Sequence, residues 1–542
     1  MKLAATTSIA VGAGMAVADA IQLQLPASSG AAGQPFDGYV SYSIEFSSFP
    51  DFAGNASNPN LFSYNLINNL GKVMGTNPYI RVGGNTQDYA LYDANQKEAL
   101  VGIYNISRSP DYPTTITIGK AYFESYRTWP GVKLSHGFNL GLGATKPEGW
   151  TTLQQTAPIA CEALSHDNLY TWEYGNEPDL YSTSSQGPVR PKDWNEATYV
   201  EQWQNGTNKI RELVQKACPK LADPTFMAPS FAGVGSHLNG PKTFKAGLDD
   251  NNDIALFSTH NYISGAGSPG VTLQGTLMNH TRTKASVNVH VNEYNQIHAI
   301  TGDKTPPLMF GECNSLYNQG RPGLSNTFGA ALWGIDFNLY SASVGFKRVH
   351  MHMGTNYRYQ AWQPVETDLA SIGTKAPYYG SMAVAAMLRN SASHPVSIGT
   401  LALPNDAESG YTAHFTSGSK TGKLARVMII NMRGYNSTVD GAGLDPLPKP
   451  PTRQVRTYSF QVHDAAAEGQ VVQIQRLLAN GSDAITGITY DGWSYNRELD
   501  MGKPVRLHNV TIGETTTVKN GWVTVDVVDS SAALLSFTKK CT

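Results

Sequence analysis

The stretch Thr171-Trp-Glu-Tyr-Gly-Asn-Glu-Pro-Asp-Leu-Tyr181 joins an aromatic, apolar run to an abrupt polar end. The run predicts a buried β-strand that ends before Pro178, because proline has no N–H group to continue a ladder. Asn176 and Glu177 then lie side by side at the carboxyl end of the strand. A carboxyl group there can protonate a glycosidic oxygen while the amide binds a neighbouring sugar hydroxyl. Alone, Asn-Glu-Pro is better explained as a polar turn, so the rest of the chain must supply a second carboxylate and a scaffold.

On both sides of this stretch, strand-like and helix-like segments alternate over residues 37–389. Eight such units predict a parallel sheet with crossover helices, closed as a TIM (β/α)8 barrel. In that fold the functional groups lie at the carboxyl ends of the strands. Polar residues recur at the predicted ends: Glu45, Asn85, Asn139, Asn176, Glu177, His260, Tyr262, Glu312, and Asn356 and Tyr357 within the stretch that begins at Gly354. A long insertion, about 86–109, follows the second strand and predicts a functional loop.

After residue 389 the pattern changes to short strands separated by turn residues. This pattern predicts an antiparallel β-sandwich over residues 390–542. We expect the sandwich to pack on the barrel as structural support, with a separate sugar-binding module as the alternative. The extended segment 21–36 is a candidate edge strand of the same sandwich.

The amino-terminal residues have the form of a secretory signal. Met1-Lys2 is followed by a small, mostly apolar run and by Ala18-Asp19-Ala20, an A-x-A cleavage site. We therefore assign residues 1–20 to a signal peptide and expect a secreted, extracellular protein with no membrane association, because the run is too short to span a bilayer. N-glycosylation candidates agree with secretion: Asn55, Asn105, Asn205, Asn279, Asn436, Asn480 and Asn509.

The overall composition narrows the classes of partner. A formal net charge of −2 without a dense Lys/Arg block argues against nucleic acid and strongly sulfated polyanions. No sequence feature indicates an obligate protein partner. The 27 tyrosines and 9 tryptophans supply rings that can stack on sugar faces. Four cysteines are too few for a disulfide framework and match no zinc pattern, although Cys161 and Cys218 fall on predicted helices and could pair.

A second carboxylate stands at the end of Pro307-Leu-Met-Phe-Gly-Glu312, which predicts another buried strand. By strand count Glu177 closes the fourth strand and Glu312 the seventh, and in a closed barrel both face the same mouth. Two carboxyl groups there suit double-displacement glycoside hydrolysis, one as nucleophile and the other as acid and then base. Retention requires a carboxyl separation of about 5–5.5 Å, whereas inversion requires about 6.5–9.5 Å.

The histidines do not predict a metal site. His350 and His352 alternate along the last predicted barrel strand and so share one of its faces. A pair of core or rim histidines explains that spacing better than metal ligation does. Because paired carboxylates complete the reaction without help, we expect no metal and no cofactor.

Several motifs taken together resemble a known family. Asn-Glu-Pro after an aromatic strand, Gly-Glu on a later strand and His-x-Tyr between them are similar to the retaining clan of barrel glycosidases. More specific stretches are Arg81-Val-Gly-Gly-Asn-Thr-Gln-Asp88, Gly311-Glu-Cys-Asn-Ser-Leu-Tyr317, Leu324-Ser-Asn-Thr-Phe328 and Gly354-Thr-Asn-Tyr357. They resemble glycoside hydrolase family 79, the heparanase and β-glucuronidase family, over most of the barrel and the trailing sandwich.

The resemblance implies a role for each matching residue. Glu177 would be the acid/base and Glu312 the nucleophile. Asn176 would hold the 2-hydroxyl, and Tyr262 would keep the nucleophile ionised and aimed. The remaining implied substrate contacts are Glu45, Asn85, His260, Tyr317, Gly354, Asn356 and Tyr357. Among these, Tyr317 and the Asn356-Tyr357 loop match positions that hold a uronic acid carboxylate, with rim aromatics as the alternative explanation for the two tyrosines.

Within that family the choice is between an endo-enzyme that cuts heparan sulfate and an exo-enzyme that removes terminal glucuronic acid. A heparan sulfate enzyme would show clustered basic residues around its cleft, and this chain does not. We therefore predict an exo-acting, retaining β-glucuronidase acting on polysaccharides or proteoglycan glycans, with 4-O-methylglucuronic acid as a further candidate. The alternatives are a heparanase-like endo-enzyme, an arabinofuranosidase of the same architecture, and a carbohydrate-binding protein with an inactive barrel.

Overall fold

The computed structural model describes residues 20–25, 33–184, 187–221, 223–417, 420–462 and 466–537. Apart from Ala20, the predicted signal peptide lies outside the described residues. None of the described helices is both long and apolar enough to cross a membrane.

The strands are numbered in chain order. They are β1 Ile21–Gln24, β2 Val40–Glu45, β3 Ile80–Gly83, β4 Ala90–Tyr92, β5 Leu100–Ile103, β6 Thr115–Ile118, β7 Leu134–Phe138, β8 Leu169–Tyr174, β9 Phe226–Phe231, β10 Ile254–Gly265, β11 Leu308–Tyr317, β12 Val349–Met353, β13 Trp362–Gln363, β14 Gly373–Thr374, β15 Val396–Leu401, β16 Glu408–Ser417, β17 Lys420–Asn431, β18 Val455–Gln461, β19 Val471–Leu478, β20 Thr489–Tyr490, β21 Trp493–Ser494, β22 Val505–Arg506, β23 Glu514–Thr517, β24 Trp522–Val528 and β25 Ser531–Ser536. The α-helices are α1 Phe49–Ala53, α2 Leu61–Met74, α3 Pro147–Leu164, α4 Glu196–Ala217, α5 Gly240–Lys245, α6 His280–Thr301, α7 Phe328–Ser343, α8 Ala376–Leu388 and α9 Arg497–Asp500.

A closed barrel of eight strands forms the first part of the molecule, in the order β2, β3, β7, β8, β9, β10, β11 and β12. The pairs are parallel, including the closing pair of β12 with β2. Both of these strands are buried along their whole length, as parallel strands covered by helices on one side and by barrel side chains on the other must be. The barrel prediction is confirmed. Strand β8, which precedes Glu177, is the fourth of the barrel, and β11, which carries Glu312, is the seventh.

The sequence-based position of Glu312 within its strand was wrong. Glu312 does not end β11, because that strand continues to Tyr317. The register between β10 and β11 shifts at this point, where Thr259 pairs with Phe310 and His260 with Glu312. Gly311 is the extra residue, and a Cβ there would lie only 2.1 Å from the Ser258 hydroxyl oxygen. A glycine therefore permits the β-bulge that turns Glu312 into the site.

The insertion after β3 is a small sheet and not the predicted loop. Its three strands stand in the order β4, β6, β5. The alternation of threonine and isoleucine in β6 gives one buried and one more exposed face, which is the pattern of a half-covered strand. A 3-10 helix, Lys120–Arg127, then takes the place of an α-helical crossover to β7.

The second part of the molecule is a sandwich of two sheets. The larger sheet has nine strands, with β25 between β17 and β19, and the smaller sheet has the order β1, β18, β24. The amino-terminal strand β1 thus pairs in parallel with β18, with Leu23 opposite Phe460. The prediction of a barrel followed by a sandwich is confirmed.

The large sheet has two buried faces. Along β25, Ala533 and Leu535 belong to the core between the two sheets, whereas Ala532 and Leu534 belong to the core shared with the barrel. This is the two-residue period of a strand that is covered on both sides. The Arg426 side chain strengthens the junction by donating to the carbonyl of Met387 in α8, at 3.0 Å. The sandwich therefore packs directly on the barrel helices.

Cys161 in α3 and Cys218, which follows α4, form a disulfide. It joins the two helices that flank β8 on the outside of the barrel. Cys313 is a free, buried thiol beside Glu312.

Candidate active site

Glu177 lies beyond its strand in a left-handed backbone conformation. Strand β8 ends at Tyr174, and Glu177 has φ 48° and ψ 50°. Such a conformation costs a non-glycine residue about 1–3 kcal/mol, and such residues cluster at functional sites. The backbone N–H of Glu177 donates to the Ser230 carbonyl at 3.0 Å, which ties this turn to the end of the neighbouring strand β9. The prediction that Glu177 is the last residue of the strand is corrected by three positions.

Glu312 is buried, and both of its carboxylate oxygens already accept hydrogen bonds. The Tyr262 hydroxyl donates to Oε1 at 2.7 Å. Arg81 Nη1 donates to Oε2, also at 2.7 Å. A carboxylate held by two fixed donors has one orientation, which is what a nucleophile aimed at a single carbon needs. The predicted contact of Tyr262 with Glu312 is therefore present in the structure.

The two carboxyl groups lie close together. One carboxylate oxygen of Glu177, one of Glu312 and one ring nitrogen of His260 all lie within 4.8 Å of one another. A cluster of this size could hold a metal ion, but Arg81 already supplies a fixed positive charge to Glu312. A divalent cation would have to compete with that guanidinium, so the donor set fits paired-carboxylate chemistry better than metal binding.

The surroundings shift the pKa values of the two glutamates in opposite directions. Burial, reinforced by the negative charge of Glu312, raises the pKa of Glu177 well above its ordinary value. Burial also opposes ionisation of Glu312, but His352, His260, Arg81 and the Tyr262 hydroxyl together hold the pKa of Glu312 below its ordinary value. At neutral pH Glu177 is therefore protonated and Glu312 is ionised. These are the states that a general acid and a nucleophile require.

His260 contacts the carboxyl group of Glu177. Its Nδ1 lies 3.0 Å from Glu177 Oε1, and its ring is fully buried. Burial lowers the pKa of His260 to about 4, so the ring is neutral near pH 7. Among the described residues its Nε2 has no hydrogen-bond partner. The structure thus places His260 against Glu177, whereas the family resemblance had implied a contact with substrate.

Asn176 is held on both ends of its amide. Its Oδ1 accepts from Arg81 Nη2 at 2.7 Å, and its Nδ2 donates to Asn85 Oδ1 at 3.1 Å. Arg81 therefore contacts both Asn176 and Glu312. Asn85 and Asn176, each predicted separately as a substrate contact, are thus brought together, and Arg81 links Asn176 to Glu312.

Asp88 fixes the turn that carries Asn176 and Glu177. Its Oδ2 accepts from the Asn176 N–H at 2.8 Å and from the Tyr181 hydroxyl at 2.7 Å. Its Oδ1 accepts from the N–H groups of Leu140 and Gly141, at 2.9 and 3.1 Å. One buried carboxylate thereby joins three loops at the mouth of the barrel. Burial raises its pKa to about 6 even with these four donors.

Glu45 and Tyr357 form another part of the site. Glu45 Oε1 accepts from the backbone N–H of Thr86 at 3.0 Å, and Oε2 accepts from the Tyr357 hydroxyl at 3.1 Å. His352 Nε2 lies 3.4 Å from Glu45 Oε2, and its Nδ1 lies 3.6 Å from Glu312 Oε2. His352 thus bridges Glu45 and the second carboxylate.

The outer predicted residues do not all lie in this cluster. A Cβ on Gly354 would lie 2.6 Å from the Tyr357 ring, so glycine allows the ring to lie against its own loop. The Asn356 amide oxygen accepts from Gln363 Nε2 at 3.2 Å. Tyr317 is 47% exposed, and its hydroxyl lies 3.5 Å from that of Ser268. Among the described contacts, none joins Tyr317 to the two carboxylates.

Sequence reasoning assigned no role to Arg81 and Asp88 and treated His352 as a core or rim residue. Arg81 and Asp88 are the two ends of the motif Arg81-Val-Gly-Gly-Asn-Thr-Gln-Asp88, which was used only for the family resemblance. The available signal for Arg81 was a charge inside the otherwise apolar strand β3. A buried arginine needs a carboxylate partner, so its presence in a barrel strand could have pointed to the site. His352 gave no such signal, because the same spacing fits a core histidine.

The glycosylation candidates lie on the surface with one exception. Asn55, Asn105, Asn205, Asn436, Asn480 and Asn509 are exposed. Asn279 is half-buried, and its side chain accepts from the Arg282 N–H as the N-cap of α6.

Comparison with known protein sequences gives two kinds of match. Residues 414–534 match the family described as the glycosyl hydrolase family 79 C-terminal beta domain. A β-glucuronidase of Neurospora crassa is 58% identical over 518 residues, which cover 92% of this chain and 91% of that protein. A β-glucuronidase of Aspergillus niger is 50% identical over 500 residues, covering 92% and 90%.

Solved structures share the architecture at low identity. A 4-O-α-L-rhamnosyl-β-D-glucuronidase from Fusarium oxysporum superposes with a TM-score of 0.74 at 22% identity, over 95% of this chain and 100% of that one. A family 51 α-L-arabinofuranosidase from Bifidobacterium longum superposes with a TM-score of 0.60 at 12% identity, over 95% and 99%. At these identities the two structures support the fold and nothing finer.

Proposed function

The chain belongs to glycosyl hydrolase family 79, and we propose from this membership that it is a retaining, exo-acting β-glucuronidase. The relatives that cover nine-tenths of its length are β-glucuronidases. The observation that carries the mechanism is the pair Glu177 and Glu312, whose carboxylate oxygens approach within 4.8 Å with opposite shifts in pKa. That proximity supports retention, since inverting enzymes keep their carboxyl groups about 6.5–9.5 Å apart to admit water.

In the first step Glu312 attacks the anomeric carbon of the glucuronide. The bond from that carbon to the aglycone oxygen breaks, and Glu177 gives its proton to the leaving oxygen. Glu312 is then bound as an ester and carries no charge. Because the charge of Glu312 had contributed to the raised pKa of Glu177, that pKa falls once the ester forms.

In the second step Glu177 acts as a base. It takes a proton from a water molecule, the water oxygen attacks the anomeric carbon, and the ester bond to Glu312 breaks. Two inversions at the same carbon restore the β configuration. Arg81 and Tyr262 keep their bonds to the two oxygens of Glu312 and stabilise the carboxylate as it leaves.

The site also offers groups for the hydroxyls of the sugar. The amide of Asn176 contacts Arg81 and Asn85. The carboxylate of Glu45 lies beside Tyr357 and His352. We assign Asn176 to the 2-hydroxyl. Hydroxyl and backbone donors around Tyr357 can hold the uronate carboxylate without a dedicated arginine.

The small sheet of the insertion supports an exo-acting pocket. Asp111, which precedes β6, accepts two hydrogen bonds from Arg358 in the loop after β12, at 2.6 and 2.8 Å. The adjacent Tyr112 packs in one cluster with Tyr357 and Tyr359, and Tyr357 contacts Glu45. A wall fixed by a bidentate ion pair on this side of the site favours a substrate that ends there over one that continues through an open groove.

Hydrolysis of 4-nitrophenyl β-D-glucuronide, followed by proton NMR of the anomer first released, tests activity and stereochemistry together. We expect β-glucuronic acid to appear first and to mutarotate afterwards. First release of the α anomer would refute double displacement. If a parallel panel of chromogenic glycosides showed hydrolysis of the arabinofuranoside alone, the assignment of a glucuronide substrate would be refuted. Depolymerisation of heparan sulfate without release of monosaccharide would identify an endo-enzyme instead.

We also propose that the protein is secreted as a glycoprotein. The signal-like residues 1–20 and the six exposed sequons support this location. Expression of the full chain in a eukaryotic host should deliver active protein to the medium, starting near residue 21 and with lower mass after endoglycosidase treatment. Unglycosylated, uncleaved protein retained in the cell would contradict the proposal.

A further inference from the structure

A third glutamate lies beneath the site. Glu173 is on β8, four positions before Glu177, and is only 1% exposed. Its Oε2 accepts from Arg81 Nε at 2.9 Å and lies 2.9 Å from Nη2 of the same guanidinium. Its Oε1 accepts from the Ser230 hydroxyl at 2.6 Å, and Ser258 lies 2.9 Å further along. Because the Ser230 hydroxyl has one proton, Ser258 must be the donor in that second contact.

The guanidinium of Arg81 is divided between two carboxylates. The edge formed by Nε and Nη2 faces Glu173, while Nη1 donates to Glu312 at 2.7 Å. Arg81 is 0% exposed, so neither water nor salt screens these charges. With Glu177 protonated, Arg81, Glu173 and Glu312 carry one positive and two negative charges. His352 also faces Glu312, at 3.6 Å, but it is shared with the carboxylate of Glu45, at 3.4 Å. The cluster therefore keeps a surplus negative charge in a buried place.

We infer that Glu173 is a positioning residue that holds Arg81 in place and offsets its charge, so that Glu312 remains a reactive nucleophile. The inference rests on the proposed role of Glu312 in double displacement. Without the charge of Glu173, Arg81 and Glu312 would form a closed neutral pair, and the lone pairs of Glu312 would be held more tightly. A carboxylate stabilised in that way attacks carbon more slowly and leaves carbon more readily.

The two half-reactions should consequently respond in opposite directions when Glu173 loses its charge. In glycosylation a bond forms between a Glu312 oxygen and the anomeric carbon while the proton of Glu177 moves to the leaving group, so a less basic Glu312 slows the step. In deglycosylation the same oxygen leaves as a carboxylate, and an undivided Arg81 stabilises it. A variant that merely disturbs the fold would slow both half-reactions.

A fluorosugar separates these half-reactions. We would mix the full-length protein with 2-deoxy-2-fluoro-β-D-glucuronyl fluoride, follow covalent labelling of Glu312 by mass spectrometry, and then measure reactivation after removal of excess reagent. For Glu173→Gln we expect labelling to be about tenfold slower, the factor that corresponds to one pKa unit. Reactivation should be no slower than in the wild type. The acid limb of kcat/KM should move to lower pH.

Two further variants separate charge from packing. Glu173→Asp keeps the charge but withdraws it from Arg81, so labelling should slow while the acid limb stays in place. Glu408→Gln neutralises another fully buried, arginine-paired carboxylate, in the sandwich, and should leave both half-reactions unchanged. If Glu173→Gln does not fold, labelling of Glu173→Asp at the wild-type rate would still overturn the inference.

The inference is also overturned if Glu173→Gln slows labelling and reactivation by the same factor, or changes neither. These outcomes differ from a failure of the proposed function. If the proposed function were wrong, the wild-type protein itself would not be labelled at Glu312 or would release the α anomer. Labelled wild-type protein together with an unaffected Glu173→Gln speaks against Glu173 alone.

Discussion

Within the described residues, a buried glutamate is paired with arginine in each part of the molecule. In the barrel, Arg81 contacts two carboxylates, Glu173 and Glu312, at 2.9 and 2.7 Å. In the sandwich, Glu408 faces two arginines, with Arg433 Nη2 at 2.9 Å and Arg456 Nε at 3.6 Å. Glu408 is fully buried, whereas the side chains of its two partners are partly exposed.

The difference lies in which charge is in excess. In the sandwich, one buried carboxylate, Glu408, has two arginine partners whose side chains reach solvent. A structural ion pair avoids an unpaired buried charge in this way. The barrel does the reverse and keeps two carboxylates on one arginine. A surplus of negative charge is costly to bury, and its presence beside Glu177 indicates that the barrel cluster was retained for chemistry. The predictions below separate the two clusters by their effect on turnover.

The largest effect is expected at the nucleophile. Glu312→Gln should lower kcat by on the order of 10⁵-fold, because no covalent intermediate can form. The measurement is steady-state hydrolysis of 4-nitrophenyl β-D-glucuronide, with circular dichroism to verify folding. A folded Glu312→Gln protein that retained more than a few per cent of wild-type turnover would remove Glu312 from the mechanism.

The next largest effect is expected at the acid/base. Glu177→Ala should lower kcat/KM by about 10²–10⁴-fold for a poor leaving group and by much less for dinitrophenol, which needs no proton. Azide can replace the missing base in the second step and should give the β-glucuronyl azide. An α-azide, or no rescue together with equal losses on both substrates, would contradict the assignment of Glu177.

The pH profile should have a basic limb that belongs to Glu177. Glu177 must be protonated to act as acid, so kcat/KM should fall about tenfold per pH unit as the pH rises through its raised pKa of about 8. Glu312 must be ionised, so the acid limb lies below its ordinary pKa. Neutralising the charge of Glu312 should lower the pKa of Glu177, which carbon-13 NMR of the labelled carboxyl group in Glu312→Gln can measure. An unmoved pKa there would show that burial alone causes the shift, and a raised pKa would contradict the contribution assigned to the charge of Glu312.

A smaller effect is expected at the wall of the pocket. Asp111→Asn weakens its two bonds to Arg358 and should raise KM by about fivefold, with little change in kcat, because a charge-assisted hydrogen bond contributes about 1.5–3 kcal/mol when intact. The same variant should gain measurable cleavage of glucuronides extended at the non-reducing end. Unchanged KM and unchanged chain-end preference would separate the insertion from substrate selection.

The smallest effect on turnover is expected in the sandwich cluster. Glu408→Gln should leave kcat and KM within twofold of the wild type but lower the free energy of unfolding by about 2 kcal/mol, because hydrogen bonds to a charged group are lost. Urea denaturation combined with the glucuronide assay checks both parts. A large loss of turnover at unchanged stability would mean that the sandwich takes part in catalysis.

The sequence predicted the barrel, the sandwich and the two carboxylates because each leaves a local trace. Strand period, the proline after Glu177 and the glycine before Glu312 are all readable along the chain. The bulge at Gly311 was not predicted, since it exists only in the pairing of β11 with β10. The division of Arg81 between Glu173 and Glu312 depends on three strands that are adjacent only after the barrel closes. The site residues assigned by resemblance also differ in outcome. Tyr262 contacts Glu312, whereas Tyr317 lies on an exposed rim.

The position of β25 in the middle of the large sheet has a consequence for folding. Its neighbours are β17 and β19, so the sheet that covers α7 and α8 stays in two pieces until residues 531–536 have been synthesised. Strand β1 likewise cannot pair until β18, more than 430 residues later in the chain, has been synthesised. Contacts at such sequence separation slow folding and leave strand edges open to other chains. Carboxyl-terminal truncations that reach β25 should therefore yield aggregates during synthesis, even though every residue of the barrel is intact.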